Sequence, residues 1–234
     1  MNNLPSQTIS AYWFDEACPS AKSELLNKAK TIRLKNNEFL LRQGDSNDSV
    51  YLLQEGRLAS EHLTDEGEQF TIRIIHPGQS MGEIQLSGNV EASNSIRSLG
   101  ASKMLQIKHS DLLTVAKNHP EILIGLTKSV SVMLSNTVKM LNLVILSPLK
   151  ERVRWRLLTE ALDGDPIDED WRQVRISQTE LSKMVGASRQ AVNQELKQLS
   201  EAGIVKLAYR CMNIHLDRLN DVWNLQNSLK KTDA

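Results

Sequence analysis

Cysteine is scarce in this chain: 234 residues hold only Cys18 and Cys211. The two lie far apart without CxxC spacing, so neither a disulfide framework nor a zinc site is indicated. Two thiols also fall short of a four-cysteine iron–sulfur cluster within one chain. An excess of one charge is missing as well. Lys and Arg total 28, Asp and Glu total 28, and the formal net charge is +0. That balance excludes a polyelectrolyte tail or a histone-like wrapper and confines any nucleic-acid surface to a local patch. Long hydrophobic runs are absent: uninterrupted apolar stretches are as short as Leu143, Val144, Ile145 and Leu146, against the ~20 residues that span a bilayer, and no transmembrane helix is expected. The N-terminal stretch has neither a basic start nor an apolar centre, so it does not read as a secretory signal, and the cytoplasm is the expected address. What is present is 40% hydrophobic content, enough to build the core of one large domain or two small ones.

The texture of the chain changes twice. The first twenty residues are polar and aperiodic, reading as an arm, and a short helical pattern follows over residues 21–30. From Ile32 to Ile107 come short runs rich in Val, Ile, Leu and Thr, with turn glycines at Gly44, Gly56, Gly67 and Gly78. This spacing fits an antiparallel β-roll, sandwich or barrel. After Pro120, Leu123, Leu126, Val130, Met133, Thr137, Met140 and Val144 follow one another by alternating steps of three and four, a heptad seam. The same helix carries Ile122, Leu134 and Leu141, so it needs apolar cover on two sides. The β-domain is expected on one side and the same helix of a second chain on the other, which predicts a homodimer. The alternative is a core stripe buried within one chain. Thr137, the polar member, sets register or faces a ligand.

Ser147-Pro148 pushes the chain out of helical geometry and marks a hinge. The segment beyond it opens with a helix over 149–162, an acidic loop from Asp163 to Asp170, expected as a solvated turn, and a short strand over 173–176. Between Arg172 and Arg218, eight cations face four anions, so the neutral total conceals a basic module. Ser177-Gln-Thr-Glu180 is a capping box that starts a helix. That helix ends at Gly186, and Ser188 caps a second helix running to about Glu201. Two helices joined by Gly186-Ala-Ser188 make a helix-turn-helix, with Leu181, Val185, Val192, Leu196 and Leu199 as its internal contacts. Strands over 204–207 and 212–216 add a wing with Arg210 at its tip. In this geometry Arg189, Gln190, Asn193 and Gln194 meet base edges in the major groove, where Arg matches guanine and Gln or Asn matches adenine. Thr179, Ser188, Lys197 and Arg210 are placed for phosphates. A winged helix used for protein contact is the alternative.

The order of β-roll, long helix and winged helix-turn-helix resembles the bacterial regulators typified by the cyclic-AMP receptor protein and the fumarate–nitrate regulator. The quotable pieces are Phe39-Leu-Leu-Arg-Gln-Gly-Asp45, Val50-Tyr-Leu-Leu-Gln-Glu-Gly-Arg57, Pro77-Gly-Gln-Ser-Met-Gly-Glu-Ile84, Asn118-His-Pro-Glu121 and Val185-Gly-Ala-Ser-Arg-Gln-Ala-Val192. The resemblance implies an α+β chain: an N-terminal antiparallel β-roll of the cyclic-nucleotide-binding, jelly-roll type in residues 1–119, a dimerisation helix in 120–146, and a winged helix-turn-helix in 147–234. It also implies an effector pocket at Gly82, Glu83, Ala92, Ser93, Thr137 and Val138. Gly82, Glu83, Ser93 and Thr137 match the cyclic-AMP-binding members, in which the glutamate holds the ribose. Ala92 stands where those members have a phosphate-binding arginine, Val138 replaces a serine, and the turn between Glu83 and Ser93 is about one residue shorter. Losing the arginine removes a charge-assisted contact to a buried phosphodiester, so tight cyclic-AMP binding is not expected. Arg97 is a substitute or a structural arginine. Glu83 faces another ligand or is met by neighbouring side chains.

An enzyme would need a nucleophile or an acid–base pair, and His62, His76, His109, His119 and His215 are scattered without partner spacing, so they read as surface or structural groups. His76 lies near the turn where carbon-monoxide sensors of the family have a haem ligand, but it has no matched partner. No cofactor is certain, and a cyclic nucleotide or other small effector is the candidate ligand. The expectation is a homodimeric, sequence-specific transcription regulator that binds double-stranded DNA at an inverted repeat and works with RNA polymerase, with no membrane and no metal. A cyclic-nucleotide-binding interaction module without DNA reading is the alternative.

Overall fold

Two four-stranded antiparallel sheets, facing one another, build the N-terminal half. The computed structural model describes residues 11–88 and 90–223, so the first ten residues of the expected arm lie outside the described residues. Strands β1 (Lys30–Leu34), β2 (Phe39–Leu41), β3 (Ser49–Glu55), β4 (Leu58–Leu63), β5 (Gln69–Ile75), β6 (Ser80–Met81), β7 (Ser95–Ser98) and β8 (Ser102–Lys108) cross from one sheet to the other at each connection except the β4–β5 hairpin. One sheet has the order β1-β8-β3-β6 and the other β2-β7-β4-β5.

The side chains of β3 show why two sheets are not enough. Tyr51 and Leu53 point into the sandwich with Leu58, Ile75, Ile96 and Met104. Val50 and Leu52, one residue out of phase, lie on the opposite face with Leu105 and Ile107, against Trp13, Leu25, Leu112 and Ile122. A strand buried on both faces reads as an unbroken apolar run, and each fully buried aliphatic side chain contributes about 1.5–3 kcal/mol. Helices therefore cover the outer face: α1 (Tyr12–Asp15), α2 (Pro19–Lys28), α3 (His109–Asn118) and the start of α4 (Glu121–Leu146). Helix α2 begins two residues before the sequence pattern predicts, with Pro19 in its first turn, and stops at Lys28 because Lys30 already pairs with Gln106. A Cβ at Gly125 would fall 2.5 Å from the Cα of Trp13, so glycine is what lets α4 lie against the α1 backbone.

Helix α4 has 26 residues. By length and composition it is apolar enough to cross a bilayer, which the count of uninterrupted runs does not reveal. Its first turns are fastened to the protein: Ile122, Gly125, Leu126 and Ser129 are buried, and Lys128 pairs with Glu16 and lies over the Tyr12 ring.

By contact density the chain forms two compact units, one reaching to Ser135 and one beginning at Asn136. The second unit comprises the rest of α4, α5 (Leu149–Leu162), β9 (Asp165–Pro166), β10 (Trp171–Val174), α6 (Gln178–Val185), α7 (Arg189–Glu201), β11 (Val205–Ala208) and β12 (Cys211–His215). Its sheet has the order β11-β12-β10-β9. The acidic stretch expected to be a solvated turn is more ordered than that. Asp165 pairs with Gln173 as strand β9, and the Asp168 carboxylate accepts from the amides of Asp170 and Trp171.

Gly56 and Gly67 both turn a strand connection at positive φ, +88° and +83°, but a Cβ at Gly56 would meet Ser102 Oγ at 2.3 Å whereas one at Gly67 meets nothing within 4 Å. Gly67→Ala is expected to lose about 1–2 kcal/mol from backbone conformation alone. Gly56→Ala should lose a further ~1–3 kcal/mol from overpacking. Urea denaturation at one fixed protein concentration checks the difference; equal losses would contradict it.

Candidate nucleic-acid interface and effector site

The helix-turn-helix is built from its caps outward. Ser177 Oγ accepts from the Glu180 amide at 3.1 Å, and the Glu180 carboxylate accepts from the Ser177 amide at 2.6 Å, completing the capping box that starts α6. Gly186 ends that helix in the left-handed region at φ 60°. Ser188 Oγ then accepts from the Ala191 amide at 3.2 Å and starts α7. Leu181, Val185, Val192, Leu196 and Leu199 are buried between the helices and their supports.

That packing fixes which side of α7 is free. Arg189, Gln190, Gln194 and Lys197 are exposed: the last three lie on the side opposite Val192, Leu196 and Leu199, whereas Arg189 shares the Val192 face and is exposed as the first residue of the helix. Asn193 differs: it is half-buried, and its Oδ1 is shielded with no hydrogen-bond partner. Among the four residues expected at base edges, three project outward and Asn193 leans toward the protein. Of the residues expected at phosphates, Thr179, Ser188, Lys197 and Arg210 are all exposed. Ser188 uses an oxygen lone pair for capping, which leaves its O–H able to donate. Lys197 lies 3.9 Å from Glu201 with both side chains exposed, a weak pairing that a phosphate displaces at little cost.

The wing tip is Tyr209-Arg210. Tyr209 is 87% exposed, and Arg210 takes a left-handed conformation at φ 56°, which is costly for a residue with a Cβ. Several cations counted in the basic module are already engaged. Arg175 pairs with Asp165 at 3.0 Å, Lys206 sits over the Trp171 ring, and Arg172 donates to the carbonyl of Asp168 at 2.8 Å.

In the N-terminal unit, Gly82 adopts φ +98°, and a Cβ there would fall 2.3 Å from the Ser49 carbonyl. The turn can therefore follow β6 so tightly only with glycine. Glu83, next along, is not left unpaired. The Trp13 indole N–H donates to Glu83 Oε1 at 3.2 Å and to Ser80 Oγ at 3.1 Å, and the Ser80 hydroxyl itself donates to Glu83. Ala92 is buried, and its backbone pairs both ways with the Gly44–Asp45 turn, at 2.8 Å each. Ser93 is exposed, and its carbonyl lies 3.3 Å from His62 Nδ1. Arg97 donates from Nε to the buried Glu61 at 2.8 Å and from Nη1 to Asn37 at 2.7 Å. It is thus a structural arginine, and its guanidinium is committed. The Trp13–Glu83 bond spans 70 positions in sequence, and no local pattern announces it.

Thr137 and Val138 belong to the other unit and are exposed on α4. The heptad seam is divided. Leu126 packs into the cluster around Trp13, Met133 and Met140 are half-buried, and Met140 Sδ accepts from Arg156 Nη2 at 3.7 Å. Leu123, Val130, Thr137 and Val144 stay exposed, together with Thr127, Leu134 and Leu141. These seven also follow by alternating steps, of four and three, so the uncovered stripe is a heptad in a neighbouring register. Leu126 faces inward because the β-domain claims it.

Comparison with known proteins agrees with both halves. Residues 31–119 match the cyclic nucleotide-binding domain family and residues 151–222 the Crp-like helix-turn-helix domain family. The chain is 28% identical over 168 residues to the cyclic AMP receptor protein of Thermus thermophilus, covering 70% of this chain and 74% of that protein. It resembles the c-di-GMP responsive regulator CLP of Xanthomonas campestris with a TM-score of 0.72 and 18% identity, covering 85% of this chain and 99% of that one. It resembles FixK2 of Bradyrhizobium japonicum with a TM-score of 0.72 and 17% identity, over 82% of this chain and 96% of the other. An effector-type β-domain and a capped helix-turn-helix, joined in this order, place the chain in the CRP/FNR family of DNA-binding transcription regulators, whose members dimerise and are not enzymes.

Proposed function

We propose that the chain is a homodimer that reads an inverted repeat in double-stranded DNA through α7, and that the state of its β-domain, rather than tight cyclic-AMP binding, controls this reading. The observation that carries the first part is the set of outward polar side chains at the start of α7, on a helix held by a Ser188 cap. Arg189 offers two donors to guanine, while Gln190 and Gln194 offer the donor–acceptor pair that suits adenine. Asn193 is a weaker candidate because its oxygen faces inward. Thr179, Ser188, Lys197 and Arg210 supply phosphate contacts. An interaction module without DNA reading leaves this helix unexplained.

Dimerisation is assigned to the uncovered stripe of α4, from Leu123 through Leu134 and Leu141 to Val144. Two chains related by a twofold axis present half-site centres one helical turn, ~34 Å, apart. The functional division follows residues 1–119, 120–146 and 147–234, with Ser147-Pro148 as the joint about which the winged modules take up a DNA-competent or incompetent arrangement. RNA polymerase is the partner such a regulator addresses once bound, and the cytoplasm is where it meets both.

The β-domain reading rests on chemistry. Ala92 provides no counter-charge, Arg97 is committed to Glu61 and Asn37, and Glu83 already accepts from Trp13 and Ser80. A cyclic phosphodiester desolvated there would lack its strongest partner. The fold itself serves a cyclic AMP receptor protein in one relative and a c-di-GMP responsive regulator in another, so it does not choose the effector.

Arg189→Ala is expected to cost about 1–3 kcal/mol on the selected duplex and to relax preference at one base pair. Lys197→Ala should weaken binding to all duplexes alike and lower the salt slope by about one. Gel-shift titration over a salt series separates the two. Leu134→Glu, at an exposed position, should leave the monomer folded by circular dichroism while sedimentation shows loss of the dimer and gel shift shows loss of inverted-repeat binding. Calorimetric titration with cyclic AMP should show no saturable binding tighter than roughly 0.1 mM; tight binding would overturn the β-domain reading.

A further inference from the structure

Three side chains with metal-ligand chemistry converge where α2 begins and α3 turns into α4. Cys18 precedes α2, while His119 and Glu121 flank Pro120. Cys18 Sγ lies 3.5 Å from His119 Nδ1, and Glu121 Oε1 lies 3.7 Å from the same nitrogen. The three donor atoms all fall within 4.8 Å of one another, and all three residues are half-buried. A tetrahedral zinc ion with ordinary bond lengths holds sulfur and nitrogen about 3.5 Å apart, and nitrogen and oxygen about 3.3 Å apart. The side chains therefore stand at ligand-to-ligand separations with little movement required.

The surroundings orient the ring as a metal site requires. Glu24 Oε1 lies 3.2 Å from His119 Nε2, so the ring donates its Nε2–H to the carboxylate, and in that tautomer the Nδ1 lone pair is left on the side of Cys18 and Glu121. A carboxylate on the far nitrogen of a ligating histidine is the usual outer support of such sites.

We propose that Cys18, His119 and Glu121 bind a borderline-soft divalent transition-metal ion of the zinc class. The mixed sulfur, nitrogen and oxygen set disfavours magnesium and calcium, which take oxygen donors. Three protein ligands leave a fourth position for solvent. A bound ion fastens the start of α2 to the first turn of α4, a crosslink between residues about a hundred positions apart. The site stands independently of which DNA sequence, if any, α7 reads.

Cobalt(II) is the probe, added to full-length protein previously stripped with a chelator. The expected result is one ion per chain, with a thiolate-to-cobalt charge-transfer band in the near ultraviolet that zinc(II) displaces. Cys18→Ser should abolish the band, His119→Gln and Glu121→Gln should weaken binding at least tenfold, and Glu24→Gln should weaken it roughly 10–100-fold. Cys211→Ser should leave band and affinity unchanged. In the unmutated chain, where no substitution can disturb folding, one equivalent of zinc(II) should protect Cys18 but not Cys211 from alkylation, read by mass spectrometry. Absence of the charge-transfer band, its survival in Cys18→Ser, its loss in Cys211→Ser, or unprotected Cys18 would each overturn the proposal.

Discussion

A sheet that is apolar on both faces governs the N-terminal half. Strands β3 and β8 place Leu53 and Met104 in the sandwich and Val50, Leu52, Leu105 and Ile107 on its outer surface. That outer surface must be covered, and the cover is what recruits Trp13, α2, α3 and the root of α4. Once Ile122 and Leu126 are spent on the β-domain, the remaining apolar residues of α4 are left facing outward: Leu134 is 62% exposed and Leu141 55%. A stripe of that kind is what the proposed dimer would cover. The same packing brings the Trp13 indole to Glu83, so the arrangement that builds the core also occupies the carboxylate beside the Gly82 turn.

In the C-terminal unit the controlling factor is local charge and local capping. The chain as a whole is neutral, yet the segment from Arg172 to Arg218 has twice as many cations as anions, eight against four. Part of that excess holds the module together, as with Arg175 on Asp165 and Lys206 over Trp171. Of the other exposed cations, Arg189 and Lys197 lie on α7, Arg210 lies at the wing tip, and Arg218 follows β12. With Arg175 and Lys206 engaged inside the module and Lys197 held only by an exposed pairing to Glu201, the proposed DNA-reading surface keeps positive charge on α7 and at the wing tip.

Local signals were the legible ones. The capping box at Ser177, the left-handed Gly186 and the cap at Ser188 can be read from a few consecutive residues, because each satisfies backbone groups within one turn. The strands around the turn glycines were legible for the same reason. Signals that depend on distant partners were not. The seam of α4 fits two registers, and only the position of the β-domain shows that Leu126 turns inward while Leu134 and Leu141 remain outside. The acidic stretch looked like a solvated turn because pairing of Asp165 with Gln173 depends on the neighbouring strand. The Trp13–Glu83 bond and the cluster of Cys18 with His119 and Glu121 join residues 70 and 101 positions apart, and such proximity exists only once the helices have covered the sheet.

The central claim is that this chain reads a twofold-symmetric DNA sequence without needing cyclic AMP. The measurement that tests it most directly is selection from random duplexes by the purified full-length protein, run without nucleotide and with cyclic AMP, cyclic GMP or cyclic di-GMP. The account predicts enrichment of one inverted repeat, with half-sites about one helical turn apart, and no dependence on cyclic AMP. Enrichment only with cyclic AMP, or no enriched sequence under any condition, would contradict it.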